Sequence, residues 1–291
     1  LFVAIITTMI TAIILVIFLI YVFIGLSLTK ALFAPEKYVE WSEDEGREVT
    51  FPSSHHTLQG RVFNEAGKKG TIVFAHGMGL SAHYYRPEVL HFVNQDYRVM
   101  IFEYRGYGKS NGHFMSFRDA VKDITSAVEY FASQDSPLLL IGHSMGGYGV
   151  FSALDHIAPK AVIAYAPFRS PFSAMNVCAK RMGIVGRLAE VFLFPIQYLL
   201  HGTTAASSII ETINRSKTPM LILQGSNDKE VSIENCSVLK KKDRIDSELL
   251  TVRIVESDES NGHVTIVRKK GENTINTETM AIVDEWIDHI M

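Results

Sequence analysis

Hydrophobic residues occur in two distinct patterns along this 291-residue chain. The first 28 residues are almost entirely apolar, and no charged residue or histidine precedes Lys30. A helix of about 20 apolar residues is long enough to cross the hydrocarbon core of a bilayer. The segment lacks the basic start and the small-residue cleavage site of a signal peptide. We therefore predict a transmembrane anchor over residues 1–29 and a juxtamembrane linker over residues 30–47.

Beyond the linker, short apolar runs alternate with stretches of helical periodicity. Runs rich in β-branched and aromatic residues predict strands at 60–64, 71–75, 98–104, 138–141, 161–166, 219–224 and 249–255. Apolar residues spaced three and four apart predict helices at 89–93, 117–132, 145–156 and 279–290. Apolar strands that alternate with helices are typical of a mostly parallel sheet with helices on both faces. Residues 48–291 are therefore predicted to form one α/β domain.

One stretch interrupts this alternation. Residues 167–216 are too long for a simple crossover and contain an apolar helical segment at 188–200. We interpret them as an insertion that forms a small helical cap over one end of the sheet. Its apolar residues favour an acyl-binding pocket or contact with a bilayer, and ordinary packing explains them equally well. These residues are Val191, Phe192, Leu193, Phe194, Ile196 and Leu199.

Composition and charge narrow the partners only slightly. The formal net charge is −3, and no block of like charges is longer than three residues, as in the lysine run at 240–242, so we expect no nucleic-acid partner. Cys178 and Cys236 lack metal-ligand spacing and favour free thiols over a disulfide, which leaves the cellular compartment open. Basic residues after the anchor weakly favour a cytoplasmic domain.

A serine between glycines follows the strand predicted at 138–141. The sequence G-H-S-M-G at 142–146 fits the pattern G-x-S-x-G, which is informative only where a strand precedes it and a helix follows. Both are predicted here, and glycines permit a sharp, strained turn that exposes the hydroxyl at the carboxyl end of the sheet. Ser144 is therefore a candidate nucleophile, although an ordinary serine N-cap is the alternative. The predicted turn residues are Gly142, His143 and Gly146.

A serine hydroxyl needs a base to become a nucleophile, and that base needs a carboxylate to orient it. Asp228 follows the predicted strand P-M-L-I-L-Q, whereas its neighbour Glu230 is expected to face water. His263 follows the next predicted strand through a polar loop. With Ser144 these residues have the chain order serine, carboxylate, histidine. They are the candidate catalytic residues.

Attack on a carbonyl creates an oxyanion, which preorganised backbone N–H groups stabilise by about 2.7–4 kcal/mol each. One donor is expected at Met145, directly after the nucleophile. The second is expected in the loop H-G-M-G at 76–79, after the strand T-I-V-F-A, where Met78 is the candidate. A plain tight turn is the alternative interpretation of that loop.

These ordered motifs resemble the α/β-hydrolase superfamily. The matching segments are F-A-H-G-M-G, E-Y-R-G-Y-G-K-S, G-H-S-M-G-G, L-Q-G-S-N-D and N-G-H, from about residue 70 onward. The segments R-G-Y-G-K-S-N-G and A-P-F-R-S-P-F-S resemble membrane-anchored serine hydrolases of the α/β-hydrolase-domain type, and G-H-S-M-G-G is similar to monoacylglycerol lipases. The resemblance implies the α/β-hydrolase fold and a triad of Ser144, His263 and Asp228 that acts on esters or thioesters. It implies no metal and no organic cofactor.

Three functions remain open at this point. The first is a single-pass, membrane-anchored serine hydrolase that cleaves a small-molecule ester or an acyl, lipid-like substrate. The second is an aminopeptidase or amidase of the same fold, which acidic groups near the site would favour. The third is a membrane-tethered binding protein without turnover. The sequence does not predict the acyl chain length, the membrane orientation or the oligomeric state.

Overall fold

The structure is a computed structural model, and it describes residues 2–42, 45–133, 135–269 and 274–291. Within those residues one mixed sheet forms the centre of the molecule. Its strands are β1 (Arg47–Ser53), β2 (His56–Phe63), β3 (Gly70–Ala75), β4 (Tyr97–Phe102), β5 (Leu138–His143), β6 (Ala161–Tyr165), β7 (Met220–Gly225) and β8 (Leu250–Val255). The spatial order is β1-β2-β4-β3-β5-β6-β7-β8, with β1 and β2 antiparallel and β3 to β8 parallel. The predicted α/β-hydrolase fold is confirmed.

Helices cover both faces of the sheet. The α-helices of the described residues are α1 (Phe2–Leu32), α2 (Arg86–Asn94), α3 (Phe117–Phe131), α4 (Met145–Ala153), α5 (Pro171–Arg181), α6 (Gly183–His201), α7 (Ile209–Arg215) and α8 (Thr277–Ile290), of which α1, α5 and α6 lie away from the sheet. Apolar side chains of α3, α4 and α7 pack in one core cluster, and those of α2 and α8 pack in the other. The apolar stripes of these helices therefore face the sheet, as helical periodicity requires.

The central strands read as continuous apolar runs because both of their faces are buried. In β3, Ile72 and Phe74 belong to the cluster under α2 and α8, whereas Val73 and Ala75 belong to the opposite cluster. Successive side chains of a strand point to opposite faces, so a strand between two helical layers needs apolar residues at every position. Because these strands are parallel, the carboxyl ends of β3, β5, β7 and β8 lie along one edge of the sheet.

The antiparallel edge of the sheet was missed in part by the sequence analysis. Strand β1 was not predicted, and β2 begins at His56 rather than at residue 60. Only every second residue of β1 is buried, and Pro52 lies within it, so its apolar content is low. An edge strand tolerates proline because one side of its backbone has no partner strand.

The predicted linker at 30–47 packs on the domain. Helix α1 continues to Leu32, beyond the predicted end of the anchor at 29, and strand β1 already begins at Arg47. Between them, Phe33 and Trp41 are buried. The cap contains α5, α6 and α7, and α6 includes the helical segment predicted at 188–200. Cys178 and Cys236 are free thiols.

Candidate active site

Ser144 occupies the sharp turn between β5 and α4. Its backbone has φ 54° and ψ −112°, a conformation that side-chain-bearing residues rarely adopt. The turn is tight enough that a Cβ on Gly146 would overlap the main-chain carbonyl of Ala75, and a Cβ on Gly142 would overlap Gly146. The Ser144 N–H donates to the carbonyl of Tyr165 in β6 at 2.9 Å, which holds the turn to the sheet. The two glycines therefore permit the close approach that exposes the hydroxyl.

The structure brings the three predicted residues of the triad together. The Nε2 atom of His263 lies 3.0 Å from Oγ of Ser144, and its Nδ1 atom lies 2.7 Å from Oδ2 of Asp228. A carboxylate only accepts, so Nδ1 carries the proton and Nε2 is left as an acceptor for the serine O–H. This tautomer is the one that a general base acting on Ser144 requires.

Asp228 is buried in the loop after β7, and its carboxylate accepts several hydrogen bonds. The N–H groups of Glu230 and Val231 donate to Oδ1 at 2.8 and 2.7 Å, and the Gln224 amide donates to Oδ2 at 3.2 Å. Burial alone would raise the pKa of Asp228, but the hydrogen bonds from His263 and the two amides lower it below its ordinary value. Asp228 is therefore ionised at neutral pH.

The loop that carries His263 is docked on the loop that carries Asp228. The N–H of Asn227 donates to the carbonyl of Asn261 at 2.9 Å. A Cβ on Gly225 would overlap the main chain of Asn261, so the close approach of the two loops requires glycine there. Main-chain contact between the loops fixes the distance from the carboxylate to the imidazole.

A tyrosine that sequence reasoning missed links three segments of the site. The Tyr85 hydroxyl accepts a hydrogen bond from the Gly77 N–H at 3.1 Å and lies 2.6 Å from Nδ1 of His143. Nε2 of His143 lies 3.0 Å from the carbonyl oxygen of His263. A carbonyl only accepts, so Nε2 of His143 donates to it and Nδ1 accepts from Tyr85. These hydrogen bonds join the 76–79 loop, the turn that carries Ser144 and the main chain of His263.

This network requires His143 to stay neutral. Burial, together with the neighbouring His263, lowers the pKa of His143 to about 3. Burial raises the pKa of Tyr85 well above its ordinary value, so its hydroxyl keeps the proton that it donates. His143 was predicted only as a turn residue, and the sequence around Tyr85 carries no motif that would have identified it.

The two candidate oxyanion donors occupy the places that sequence analysis assigned to them. Met145 is the first residue of α4, where main-chain N–H groups have no partner inside the helix. In the 76–79 loop, the Gly77 N–H is engaged by Tyr85 and the Gly79 N–H donates to the Tyr107 hydroxyl at 3.4 Å. Within the described ranges, the Met78 and Met145 N–H groups donate no hydrogen bond. Both remain candidates to bind an oxyanion.

A buried pair of titratable groups lies at the 76–79 loop. Nδ1 of His76 lies 2.8 Å from the Gly77 carbonyl oxygen, and its Nε2 lies 3.5 Å from Oε2 of Glu103. Burial raises the pKa of Glu103 to about 7 and lowers that of His76 to about 4. Oε1 of Glu103 accepts a hydrogen bond from the Ala82 N–H at 2.9 Å. His76 and Glu103 together therefore link the 76–79 loop to the helical turn at Ala82–Tyr85.

Glu230 lies closer to the imidazole than the sequence suggested. Its side chain is half-exposed, as expected, yet Oε2 lies 3.9 Å from Nε2 of His263. Asp228, not Glu230, faces Nδ1. Glu230 therefore adds a negative charge on the substrate side of the ring, where an amine could meet it.

The chain has the α/β-hydrolase fold, and the arrangement of Ser144, His263 and Asp228 resembles the catalytic triad of that superfamily. A family model described as serine aminopeptidase, S33 matches residues 66–193. Esterase Pf2001 of Pyrococcus furiosus has a similar structure, with a TM-score of 0.68, 20% identity and coverage of 88% of this chain and 97% of that one. Mouse α/β-hydrolase domain-containing protein 10 is similar with a TM-score of 0.63 and 18% identity, over 84% of this chain and all of that one.

Relatives found by sequence match a smaller share of this chain than the structural neighbours do. The YfhR protein of Salmonella typhi is 30% identical over 172 residues, which is 54% of each chain. Protein phosphatase methylesterase 1 of Candida albicans is 32% identical over 89 residues, 29% of this chain and 25% of that one. The chain thus spans about half the length of YfhR and about a quarter of the length of the methylesterase. These likenesses support the superfamily and the fold.

Proposed function

We propose that the protein is a membrane-anchored serine hydrolase that cleaves carboxylic ester or thioester bonds through an acyl-enzyme. The observation that carries the proposal is the position of the His263 ring, with one nitrogen 3.0 Å from Oγ of Ser144 and the other 2.7 Å from Asp228. Distances in this range allow proton transfer from the nucleophile to the base. Esterases among the structural neighbours are consistent with the same chemistry.

The reaction begins when Oγ of Ser144 attacks the carbonyl carbon and its proton passes to Nε2 of His263. Asp228 stabilises the imidazolium that forms. His263 then gives the proton to the leaving alcohol or thiol, and the bond to that group breaks. Water attacks the acyl-enzyme and gives its proton to His263, which returns a proton to Oγ as the acid leaves.

The oxyanion of each tetrahedral intermediate would be bound by the N–H groups of Met78 and Met145. Each such donor contributes about 2.7–4 kcal/mol to lowering the barrier. Met145 is rigid because it begins α4, and Met78 is held on one side by the bond from Gly77 to Tyr85. Donors that are already oriented cost no reorganisation during the reaction.

Helix α1 supports the membrane part of the proposal. Phe2–Leu32 is long and apolar enough to cross a bilayer, and its first two-thirds are exposed. Exposed apolar surface of this size is unfavourable in water and favourable in lipid. Lys30 at its end weakly favours a cytoplasmic domain. An acyl or lipid-like substrate fits an enzyme held at a bilayer.

An aminopeptidase activity is the second candidate. The family model that matches residues 66–193 is described as serine aminopeptidase, S33. Glu230 supplies a half-exposed carboxylate 3.9 Å from His263, where the amino group of a substrate could pair with it. Hydrolysis of a neutral ester does not require the Glu230 carboxylate. Glu230→Gln therefore separates the two: it should lower turnover of aminoacyl amides at least tenfold and leave that of neutral acyl esters within about twofold, since one charged hydrogen bond is worth about 1.5–3 kcal/mol.

Labelling with a fluorophosphonate probe tests the nucleophile. Wild-type protein should react, whereas Ser144→Ala should not, and Ser257→Ala, at an exposed serine, is the matched control. If Ser144→Ala is labelled as fast as wild type, the serine-hydrolase proposal is wrong. A labelled protein that hydrolyses neither p-nitrophenyl esters, thioesters nor aminoacyl amides would instead support the non-catalytic binding protein. Comparing acyl chain lengths in the same screen identifies the substrate class.

A further inference from the structure

The last third of α1 packs on the cap. The Tyr21 hydroxyl donates to the carbonyl of Val191 at 2.5 Å, and the rings of Tyr21 and Phe192 lie 4.9 Å apart. A turn further along, a Cβ on Gly25 would overlap the side chain of Ile196, so glycine is what permits this close approach. Residue numbers increase together on the two helices, which means that α1 and α6 run in the same direction.

The same end of α1 is tied to the candidate oxyanion loop. The Tyr107 hydroxyl donates to the Phe33 carbonyl at 3.1 Å and accepts from the Gly79 N–H at 3.4 Å. The Glu36 N–H donates to the Gly79 carbonyl at 2.6 Å. Phe33 itself is 1% exposed and packs 5.0 Å from the ring of Phe117. The carboxyl-terminal part of α1, together with the residues that directly follow it, therefore contacts both the cap and the loop that carries Met78.

The exposed part of α1 has the length of a bilayer core. Residues from 2 to 20 are all exposed, and burial begins at Tyr21. At 1.5 Å per residue, that exposed part is about 28 Å long, close to the hydrocarbon thickness of about 30 Å. A tyrosine at the boundary suits a membrane–water interface. The contact with α6 thus begins where the membrane would end.

The turn between α5 and α6 points the same way as the exposed part of α1. Because the helices are parallel, residues before Val191 in α6 extend toward the amino end of α1. Large apolar side chains at this tip are exposed: Met182 by 61%, Ile184 by 78%, Val185 by 62% and Leu188 by 62%. Tertiary packing does not explain such a cluster, which is typical of a surface that contacts a membrane or a partner.

The basic residues around this tip favour contact with a bilayer. The basic residues Lys180, Arg181 and Arg187 flank the apolar cluster, and Glu190 is the single acidic residue of α5 and α6. Long basic side chains can extend to phosphate headgroups while the apolar side chains between them enter the acyl region. Arg187 within α6, with Lys180 and Arg181 directly before the turn, opposes passage of α6 through the whole hydrocarbon core, so insertion at the interface fits better than a second span.

We propose that the α5–α6 turn inserts into the same leaflet from which α1 emerges, so that the cap is a second, interfacial membrane contact. The contacts of α1 with α6 and with the 76–79 loop then hold the mouth of the active site at the bilayer surface. The substrate class that follows is an acyl lipid that enters from the leaflet rather than from water. This inference rests on the proposed membrane anchor and serine-hydrolase site.

The depth of the tip is measured with the full chain in phosphatidylcholine–phosphatidylglycerol vesicles. Cysteines at positions 13, 185 and 248 are labelled with an environment-sensitive nitrobenzoxadiazole dye, in a Cys178→Ser background. Cys236 is buried, which raises its pKa to about 12 and leaves it unreactive. The variants are Ile13→Cys in the anchor, Val185→Cys in the tip and Glu248→Cys at the opposite end of the sheet, before β8.

We expect lipid-attached nitroxides to quench the dye at positions 13 and 185 and to leave position 248 unchanged. Quenching at 13 but not at 185 would overturn the cap insertion and leave the anchor intact. Absence of quenching at 13 would overturn the anchor and, with it, this inference. Protection of position 185 from water without quenching by lipid would assign the tip to a second copy or another protein, and would also overturn the proposal.

Kinetics give an independent readout of the same contact. Val185→Asp should lower the ratio of acylglycerol hydrolysis in vesicles to p-nitrophenyl butyrate hydrolysis in solution about tenfold, because a charge now opposes insertion. Glu248→Ala, the matched surface variant, should not change that ratio. An unchanged ratio in Val185→Asp would contradict the inference even if fluorophosphonate labelling of Ser144 succeeds, which separates its failure from failure of the hydrolase proposal.

Discussion

The Tyr85 hydroxyl offers a direct test of how the site is held together. Tyr85→Phe removes a single oxygen that satisfies the Gly77 N–H and Nδ1 of His143. Both Tyr85 and His143 are buried, so water does not replace that oxygen. Each buried polar group left without a partner costs about 1–3 kcal/mol. The free energy of unfolding should therefore fall by about 2–6 kcal/mol.

The same substitution should slow the reaction more than it weakens substrate binding. Gly77 precedes Met78, the candidate oxyanion donor, and His143 precedes Ser144. A displacement of about 1 Å at such groups costs about 10²-fold in rate, and complete loss of one oxyanion donor costs about 10²–10³-fold. We expect kcat of Tyr85→Phe to fall about 10- to 100-fold while KM changes little, because the hydroxyl acts only through the positions of Met78 and Ser144.

Steady-state kinetics with p-nitrophenyl butyrate and urea unfolding of the same preparations measure both effects. Tyr165→Phe is the matched control, since Tyr165 is equally buried but, among the described residues, its hydroxyl donates a hydrogen bond only to the Met280 sulfur, at 4.0 Å. The control should keep kcat within about twofold of wild type. If folded Tyr85→Phe also keeps its kcat within twofold, Tyr85 does not position the oxyanion loop and the reasoning is refuted.

Three further predictions follow from the same geometry. Gly146→Ala forces a Cβ onto the Ala75 carbonyl and should cost about 3 kcal/mol or more of unfolding free energy by urea titration, whereas Gly147→Ala, whose nearest neighbours lie 3.3 Å away, should cost less. A neutral buried His143 makes stability fall with acid from about pH 6.5 to the folded pKa of about 3, because the unfolded state binds one proton more, at up to about 1.4 kcal/mol per pH unit. His143→Gln, which keeps a donor and an acceptor, should lower the slope of unfolding free energy against pH between pH 6.5 and pH 4. The buried His76, whose pKa is also lowered, retains its own part of that slope. An equal slope in both proteins would contradict this assignment. Asp228→Asn should lower kcat about 10⁴-fold with the fold intact by circular dichroism, since the amide favours the wrong tautomer of the histidine, and a loss below tenfold would argue against its role.

The nucleophile turn could be predicted because its signals are local. A strand, a G-x-S-x-G pattern and a helix follow one another within about twenty residues, and each glycine answers a steric demand of that same turn. Asp228 and His263 could be predicted from order alone, because each lies in a loop after a strand and parallel strands bring such loops to one edge. For these residues, chain position largely decides position in space.

Tyr85 could not be predicted in the same way. It is 58 residues from His143 along the chain, and its partners include a main-chain N–H, which leaves no trace in the sequence. The pair Tyr84-Tyr85 before α2 reads as ordinary aromatic core. A hydroxyl that bridges two loops becomes visible only when both loops are placed.

The packing of the linker and of α1 could not be predicted, for a different physical reason. A helix that is apolar on every side has no periodicity, so no pattern distinguishes the face of α1 that contacts the cap from the face that is free. The bond from Tyr21 to Val191 joins residues 170 positions apart, and Gly25 reads as a common small residue of membrane helices. The sequence therefore predicts a long apolar helix here but not how that helix packs on the cap.

The reactivity of Ser144 and the access of a substrate to it therefore depend on different parts of the molecule. The candidate triad depends on loops whose geometry the sheet imposes, so substitutions in α1 or α6 that preserve the sheet should leave reactivity toward a soluble fluorophosphonate intact. Under the proposed membrane contact, access for a lipid depends instead on where α1 and α6 meet, near Gly25 and Ile196, because that contact would set the height of the cap above the leaflet. A bulky residue at Gly25 would push the cap away from the anchor without touching Ser144. Activity on embedded lipids should then fall before activity on soluble esters does, and a parallel loss of both would mean that the anchor supports the catalytic loops themselves.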